Sequence, residues 1–339
     1  MTIGQPFPVI EATVAAVLDG IDRYTAVVND PPWSAVAEGL RPPGRVVVAG
    51  NMEQAHLDQL VEGEDATTEV VVGLGGGTAL DTAKYLAWRT DKKLIQIPTI
   101  TSVDAGFTNA IGIRVDGRVR YVGTIVPETV ALDLPLIRSA PARLNQAGIG
   151  DILSCHTGLF DWRLAVEAGR GVPWRDDLAQ LGETLLTELE QALPDIRAVS
   201  DDGVRFVAGA YRRIGAACAE AGHSRFEEGS EHFLAYNYEH RTGAHQVHGE
   251  LIGFAVVAMS VVQDNRPDWA FDVVEQSGAR CHPSDLGISR QQFDDALLGL
   301  REYARAEDLD HSIVDIADLD GSMADAAWTL VEQLPRVEP

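Results

Sequence analysis

Val70-Val71-Val72-Gly73-Leu74-Gly75-Gly76-Gly77-Thr78, continuing as Ala79-Leu80-Asp81-Thr82-Ala83-Lys84-Tyr85-Leu86, decides how the rest of the chain is read. The opening valines form a continuous apolar run, which suits a strand buried on both faces. The later residues put Ala79, Ala83, Leu86 and Ala87 on one face of a helix. Between the two, glycines let a ligand approach the backbone, and the helix start offers unpaired N–H groups. Strand, glycine turn and helix N-terminus together suit a pyrophosphate. The spacing matches neither G-x-G-x-x-G nor G-x-x-x-x-G-K-S/T, so neither motif name applies. A tight turn at a sheet edge, with no ligand, is the plainer alternative.

Working outward from this stretch, strand-like and helix-like segments alternate up to about residue 140. Tyr24–Val28 ends at the turn cluster Asn29-Asp30-Pro31-Pro32, Arg45–Val48 leads into an amphipathic stretch through Leu57, Leu60 and Val61, and Leu94–Ile97 closes at Pro98. Gly112–Val115 and Arg118–Val122 flank Asp116-Gly117, a strong hairpin signal. Beyond residue 141 the strand signals fade. Leu178, Leu181, Leu185, Leu186, Leu189 and Leu193 recur at helical spacing, and periodic segments follow near 201–221, 226–241, 247–263, 290–306 and 319–334. The expected architecture is an α/β dinucleotide-binding domain over residues 1–140 and an all-helical domain over residues 141–339 that holds a metal and the substrate. Pro141 marks the expected boundary.

Composition narrows the function classes. In 339 residues, 27 Lys plus Arg stand against 51 Asp plus Glu, a net charge of −24. So acidic a surface repels nucleic acid and anionic lipid, and neither is an expected partner. Cys155, Cys218 and Cys281 have no C-x-x-C spacing and cannot all pair internally, which favours a reducing compartment. No basic stretch precedes an apolar run at the N-terminus, and no apolar run reaches membrane-spanning length. The expected location is the cytoplasm.

Five of the nine histidines, His223, His232, His240, His245 and His248, fall within one short stretch. Neutral imidazole suits zinc or ferrous iron, and two histidines with one carboxylate leave a coordination position open for a substrate oxygen. Glu231-His232 and His248-Gly249-Glu250 sit on helical segments, and Gly150-Asp151 offers a carboxylate beside a small residue. His240 and His245 read as surface or supporting residues. His156 and His223 remain candidates, His156 for a proton relay.

Five motifs occur in order: Gly75-Gly76-Gly77-Thr78-x-x-Asp81-x-x-Lys84, Pro98–Gly106, Gly148–Ala165, Gly229–Phe233 and His248–Glu250. That order resembles the iron-containing alcohol dehydrogenase and dehydroquinate-synthase-like superfamily, closest to its glycerol-1-phosphate dehydrogenase branch. The resemblance implies a nucleotide-binding α/β domain, a helical domain, and a divalent metal in the cleft between them. It implies that Asp151, His232 and His248 bind the metal, with zinc favoured over iron. Gly75, Gly76, Gly77 and Thr78 would hold the pyrophosphate of NAD or NADP, with Asp81 and Lys84 at matching positions on the next helix. Thr99 and Ser102 would contact the cofactor, and Asp104 would reach the nicotinamide and the substrate as a further catalytic residue. Asp161-Trp162 matches the glycerol-1-phosphate branch and is expected to pack near the metal helix. A homo-oligomer is also implied.

The implied activity is reversible hydride transfer at a secondary alcohol of a small polyol or hydroxy compound, phosphorylated or not. Three departures from the family bear on this. The usual extra βα segment before the glycine motif is missing, leaving Asn51 as the nearest candidate for the ribose. Asp104 is followed by Ala105, as in glycerol dehydrogenases. Glu227-Glu228 stands where small residues and proline are usual, and would repel a phosphate. The competing class is a dehydroquinate-synthase-like lyase or cyclase that uses NAD transiently. It needs clustered cations, and Arg163, Arg225 and Arg241 are only scattered.

Overall fold

The computed structural model describes residues 8–337. Among these, the strands are β1 (Val9–Glu11), β2 (Tyr24–Val28), β3 (Arg45–Val48), β4 (Val70–Gly75), β5 (Lys93–Pro98), β6 (Ala110–Val115), β7 (Arg118–Thr124) and β8 (Thr129–Leu132). Six of them form a parallel sheet in the order β1-β8-β5-β4-β2-β3, and β6 and β7 pair separately as an antiparallel hairpin. Helices α1 (Val14–Leu18), α2 (Pro32–Val36), α3 (Gln54–Glu62) and α4 (Gly77–Thr90) connect strands, and α5 (Leu134–Ser139) and α6 (Ala142–Gln146) follow β8.

The continuous apolar run of β4 follows from its place inside the sheet, between β5 and β2. On one face Val72 and Leu74 pack with Tyr24, Val28, Ile97 and the α1 residues Val14 and Leu18. On the other, Val71 packs with Val27, Val47 and Leu94 beneath Ala83, Leu86 and Ala87 of α4. Alternate side chains point to opposite faces, so a strand covered on both must be apolar throughout. Gly73 carries no side chain because α4 lies directly on it: a Cβ there would meet Ala83 Cβ at 2.8 Å. At the hairpin, Asp116 (φ 52°) and Gly117 (φ 75°) both take the left-handed conformation that a two-residue type I′ turn requires.

Helices alone follow among the described residues: α7 (Gly150–Leu153), α8 (Cys155–Glu167), α9 (Asp176–Ala198), α10 (Asp201–Ala221), α11 (Ser230–Thr242), α12 (His248–Val262), α13 (Pro267–Ser277), α14 (Arg290–Leu298), α15 (Leu300–Ala306) and α16 (Gly321–Val331). The apolar α12 is buried along nearly its whole length, with α7, α8, α11, α13 and α16 against it. The segment read as one helix over 290–306 breaks at Gly299 into α14 and α15.

The chain divides into two compact units, one running to Asn145 and including Tyr211–Gly222, the other comprising Gln146–Ala210 and the chain from His223 onward. The division expected at residues 140 and 141 therefore falls five residues early and omits a return of the chain. Asn145 stays with the first unit because its side chain accepts the Thr101 N–H at 3.1 Å and donates to the Ile137 carbonyl at 2.9 Å. The later part of α10 joins that unit through Tyr211, whose hydroxyl donates to the Thr101 carbonyl. Gly215 lies so close to the Phe107 backbone that no side chain fits. Strands β1 and β8, three and four residues long, lie outside the strand segments expected from the sequence.

Candidate functional site

In the second unit, three helices bring Asp151, His232 and His248 together, with one ligand-type atom from each within 4.8 Å of the others. His248 Nε2 lies 3.1 Å from Asp151 Oδ1, and His232 Nε2 lies 4.0 Å from the same oxygen. Asp151 and His232 are buried, and the His248 side chain is 34% exposed. Two imidazole nitrogens converging on one carboxylate are a donor set suited to a divalent ion, with an accessible side.

Small residues beside the ligands make this convergence possible. Gly150, next to Asp151, touches Gly249, next to His248: a Cβ on Gly150 would lie 2.6 Å from both the Cα and the carbonyl oxygen of Gly249. Helices α7 and α12 thus meet backbone to backbone. A second such crossing joins Gly158 of α8 to Gly229, where a Cβ on Gly229 would lie 2.9 Å from Gly158 Cα. Asp161, wholly buried on α8, accepts the Ser230 N–H at 2.7 Å and the Ile313 N–H at 2.8 Å. It therefore holds the first residue of α11, the helix that carries His232, and burial pushes its carboxyl up to about 6. Its neighbour Trp162 is a core residue, fully buried, with its indole N–H donating to the Val172 carbonyl.

Glu231 completes the arrangement. Its fully buried carboxylate accepts the Gly229 N–H at 2.6 Å and lies 2.8 Å from His232 Nδ1. With Nδ1 protonated toward Glu231, the Nε2 lone pair is left facing Asp151, the orientation of a carboxylate–histidine–metal arrangement. Glu231 Oε2 is buried with no hydrogen-bond partner. Burial alone would push the His232 imidazole down, but the Glu231 hydrogen bond and the charges of Glu228, Glu231 and Asp151 carry it up to about 10. His248 is also raised, mainly by Asp151 working against burial. Buried negative charge collected at one point favours a cation there.

The remaining histidines lie outside this cluster. His156 Nε2 meets the Asn265 carbonyl at 2.7 Å and its ring packs on Trp269, so its ring is engaged as a core group rather than placed for a proton relay. His223 packs edge-on against Trp162, and His240 packs against Tyr303. Glu228 accepts hydrogen bonds from Ser224 Oγ at 2.5 Å and Tyr236 Oη at 2.7 Å. Glu231 and Glu228 were not singled out as supporting groups in the sequence reading, although each lies within four residues of His232.

In the first unit, Gly75, Gly76 and Gly77 join β4 to the start of α4, and each is closely packed. A Cβ would lie 2.3 Å from Asn29 Oδ1 at Gly75, 2.8 Å from Ile100 Cδ1 at Gly76 and 2.8 Å from Val103 Cγ1 at Gly77. Asn29 Oδ1 accepts the Gly76 N–H at 2.9 Å and so pins the turn from 47 residues away. Sequence reading took Asn29 only as part of a turn cluster. Thr78 sits in the first turn of α4, whose N-terminus has no side-chain cap.

Thr99 and Ser102 are buried on the segment that leaves β5, and the Thr99 N–H donates to the Gly75 carbonyl. Asp104 is half-buried at the head of a 3-10 turn, Asp104–Gly106. Lys84, read as a cofactor residue, is 1% exposed, paired with Asp81 at 2.7 Å, and donates to the carbonyl of Ala110 at 2.5 Å. That ammonium is turned into the protein. Asn51, the ribose candidate, accepts the Glu53 N–H within its own turn.

The sequence model of a family described as iron-containing alcohol dehydrogenase matches residues 16–141. An NAD(P)+ glycerol-1-phosphate dehydrogenase of Methanothrix thermoacetophila is 28% identical over 255 residues, covering 74% of this chain and 71% of that protein. One of Aeropyrum pernix is 27% identical over 264 residues, covering 78% and 74%. Among solved structures, a probable glycerol dehydrogenase from Sinorhizobium meliloti superposes with a TM-score of 0.72 at 19% identity, over 97% of this chain and 96% of that one.

Proposed function

We propose, from the premise that this chain belongs to the iron-containing alcohol dehydrogenase superfamily, that it is a metal-dependent dehydrogenase acting with NAD or NADP on a small polyol. The observation that carries this reading is the convergence of Asp151, His232 and His248 with Glu231 behind them. A divalent ion bound there would polarise the substrate oxygen and lower the pKa of its hydroxyl, while the nicotinamide accepts the hydride. Asp151, His232 and His248 would hold that ion, and Glu231 would fix the ring of His232. The Gly75–Gly77 turn and the first N–H groups of α4 would bind the pyrophosphate, and Asp104 would orient the nicotinamide and substrate. The mixed nitrogen and oxygen donor set suits zinc, the ion proposed here, and would accept ferrous iron as well.

The names of the relatives support glycerol 1-phosphate as the substrate, whose oxidation at the secondary hydroxyl would give dihydroxyacetone phosphate. Glu228 favours a second reading, an unphosphorylated polyol, because its carboxylate is close enough to interact with both His232 and His248. The lyase or cyclase reading loses support from the cations it would need. Arg225 donates to the Glu228 and His311 carbonyls, Arg241 to Asn237, and Arg163 lies over the Trp174 ring. The three cysteines are free, which supports a reducing, cytoplasmic setting, and among the described residues no helix is long and apolar enough to cross a membrane.

The test is consumption of NADH and NADPH with dihydroxyacetone phosphate and with dihydroxyacetone, on protein depleted of metal and then restored with zinc. Turnover that requires the ion is expected. A kcat/KM preference for one carbonyl selects between the two substrates. Absence of any nucleotide oxidation across these and a panel of hydroxyketones overturns the dehydrogenase reading.

A further inference from the structure

We propose that Lys84 and Asp81 are positioning residues: Lys84, oriented by its ion pair with Asp81, clasps the segment carrying Asp104 along helix α4, and makes no hydrogen bond to the cofactor. The proposal rests on the roles given above to the glycine turn and to Asp104.

An ammonium has three N–H donors. Around Lys84 Nζ stand three acceptors: Asp81 Oδ1 at 2.7 Å, the Ala110 carbonyl at 2.5 Å and the Thr108 carbonyl at 3.4 Å. With that set of partners, no donor is left over for a phosphate. Position along the helix agrees. Lys84 lies seven residues beyond Gly77, roughly 10 Å along the axis from the N–H groups that would bind pyrophosphate.

Lys84, held by Asp81 within α4, makes the last of three contacts in register between that helix and the segment 99–110. At the helix start, the Val103 side chain covers Gly77, so that a Cβ there would meet it at 2.8 Å. One turn on, Leu80 Cδ1 approaches Gly106, where a Cβ would lie at 3.3 Å. One turn further, Lys84 binds the backbone of residues 108 and 110. The pairs 77 with 103, 80 with 106 and 84 with 110 advance together. Asp104 is carried between the first two contacts, and the third stops the segment from peeling away. The helix that presents its N-terminus to the dinucleotide therefore also sets where Asp104 stands.

The experiment uses the full chain with its metal restored. Asp81→Asn/Lys84→Met removes the charge pair without stranding one buried partner, and Lys84→Met alone is made beside it. ADP, which has the pyrophosphate but no nicotinamide, is titrated by calorimetry, and kcat is measured with the better carbonyl substrate. ADP affinity is expected to hold within about 2-fold, as for sites sharing no partner. kcat is expected to fall on the order of 100-fold, the cost of misplacing a reacting group by about 1 Å. Amide exchange in residues 99–110 is expected to speed up in both variants. A fall in ADP affinity beyond about 10-fold, against the small change expected of independent sites, makes Lys84 a phosphate ligand and overturns the proposal. Unchanged exchange in residues 99–110 overturns it as well, whatever the activity. If the wild-type protein neither binds ADP nor turns over, the dehydrogenase reading fails instead, and amide exchange still decides whether the clasp exists.

Discussion

The glycine turn of the first unit and the carboxylate–histidine cluster of the second are both read as ligand sites, but for opposite physical reasons. Each residue of Gly75–Gly77 is accounted for by a neighbouring protein atom, Asn29 Oδ1, Ile100 Cδ1 or Val103 Cγ1. At Gly75, where Asn29 Oδ1 is held by the Gly76 N–H, packing alone accounts for glycine, and at Gly76 and Gly77 side-chain methyls already lie close, so the composition of the turn says little about a ligand. The cluster is the reverse case. Nothing in packing calls for a buried aspartate, a buried glutamate with one unpartnered oxygen, and two imidazoles facing one carboxylate. Buried charge without a partner is costly, so its presence argues for an ion. A site recognised by close packing is weak grounds for a ligand, and a site that packing cannot explain is strong grounds.

The largest expected effect tests the strong side. His248→Ala should abolish metal retention and turnover while far-ultraviolet circular dichroism stays as in wild type. Elemental analysis showing undiminished metal in the variant would remove His248 from the ligand set.

A second test uses Asp161, the buried carboxyl that holds the start of α11. Its folded pKa, about 6, lies above the ordinary 3.8 because burial favours the neutral form. The stabilisation is therefore complete below about pH 4 and is lost as pH rises through 6, in total roughly 3 kcal/mol at 1.36 per unit. Urea unfolding of wild type and Asp161→Asn from pH 4 to pH 7 should show wild type losing that amount relative to the variant. A difference that stays flat with pH would mean the carboxyl titrates normally.

Glu231→Gln keeps the shape but weakens the hold on His232. Zinc affinity measured by competition with a chelator should fall by ~10–100-fold, the usual cost of losing an outer partner of a ligand. An unchanged affinity would make Glu231 a helix-start residue only.

The smallest effect tests the weak side. Gly75→Ala should destabilise the nucleotide-free protein by about 1–3 kcal/mol, as overpacking does. Thermal melts without nucleotide decide it. A variant of normal stability that binds nucleotide poorly would reverse the comparison, showing that the ligand, not packing, requires the glycine.

Legibility in the sequence followed the same divide. The strand, turn and helix at 70–86 could be read because their residues are contiguous, and Asp116-Gly117 because its turn chemistry is local. The helix expected over 201–221 occurs over Asp201–Ala221. Strands β1 and β8 escaped because three or four residues are too few to show a period. Asn29 escaped because its partner, Gly76, is 47 residues away and a turn asparagine is unremarkable in itself. The carboxylate–histidine cluster could be narrowed to Gly150-Asp151, Glu231-His232 and His248 from residue types, but the set Asp151, His232 and His248 came from the resemblance, because no spacing links helices α7, α11 and α12. Lys84 is a third case: its motif position gives its address on α4, whereas the direction of its side chain depends on where residues 108–110 pass.

Gly150 and Gly249 have a consequence for anyone wishing to retool this centre. Because the two helices touch through their main chains, the separation of the backbones that carry Asp151 and His248 behaves like a gauge block, fixed by the thickness of two main chains. Redesign of the surrounding residues can alter the charge around the cluster and the reach of its side chains, but not the spacing of the helices they start from.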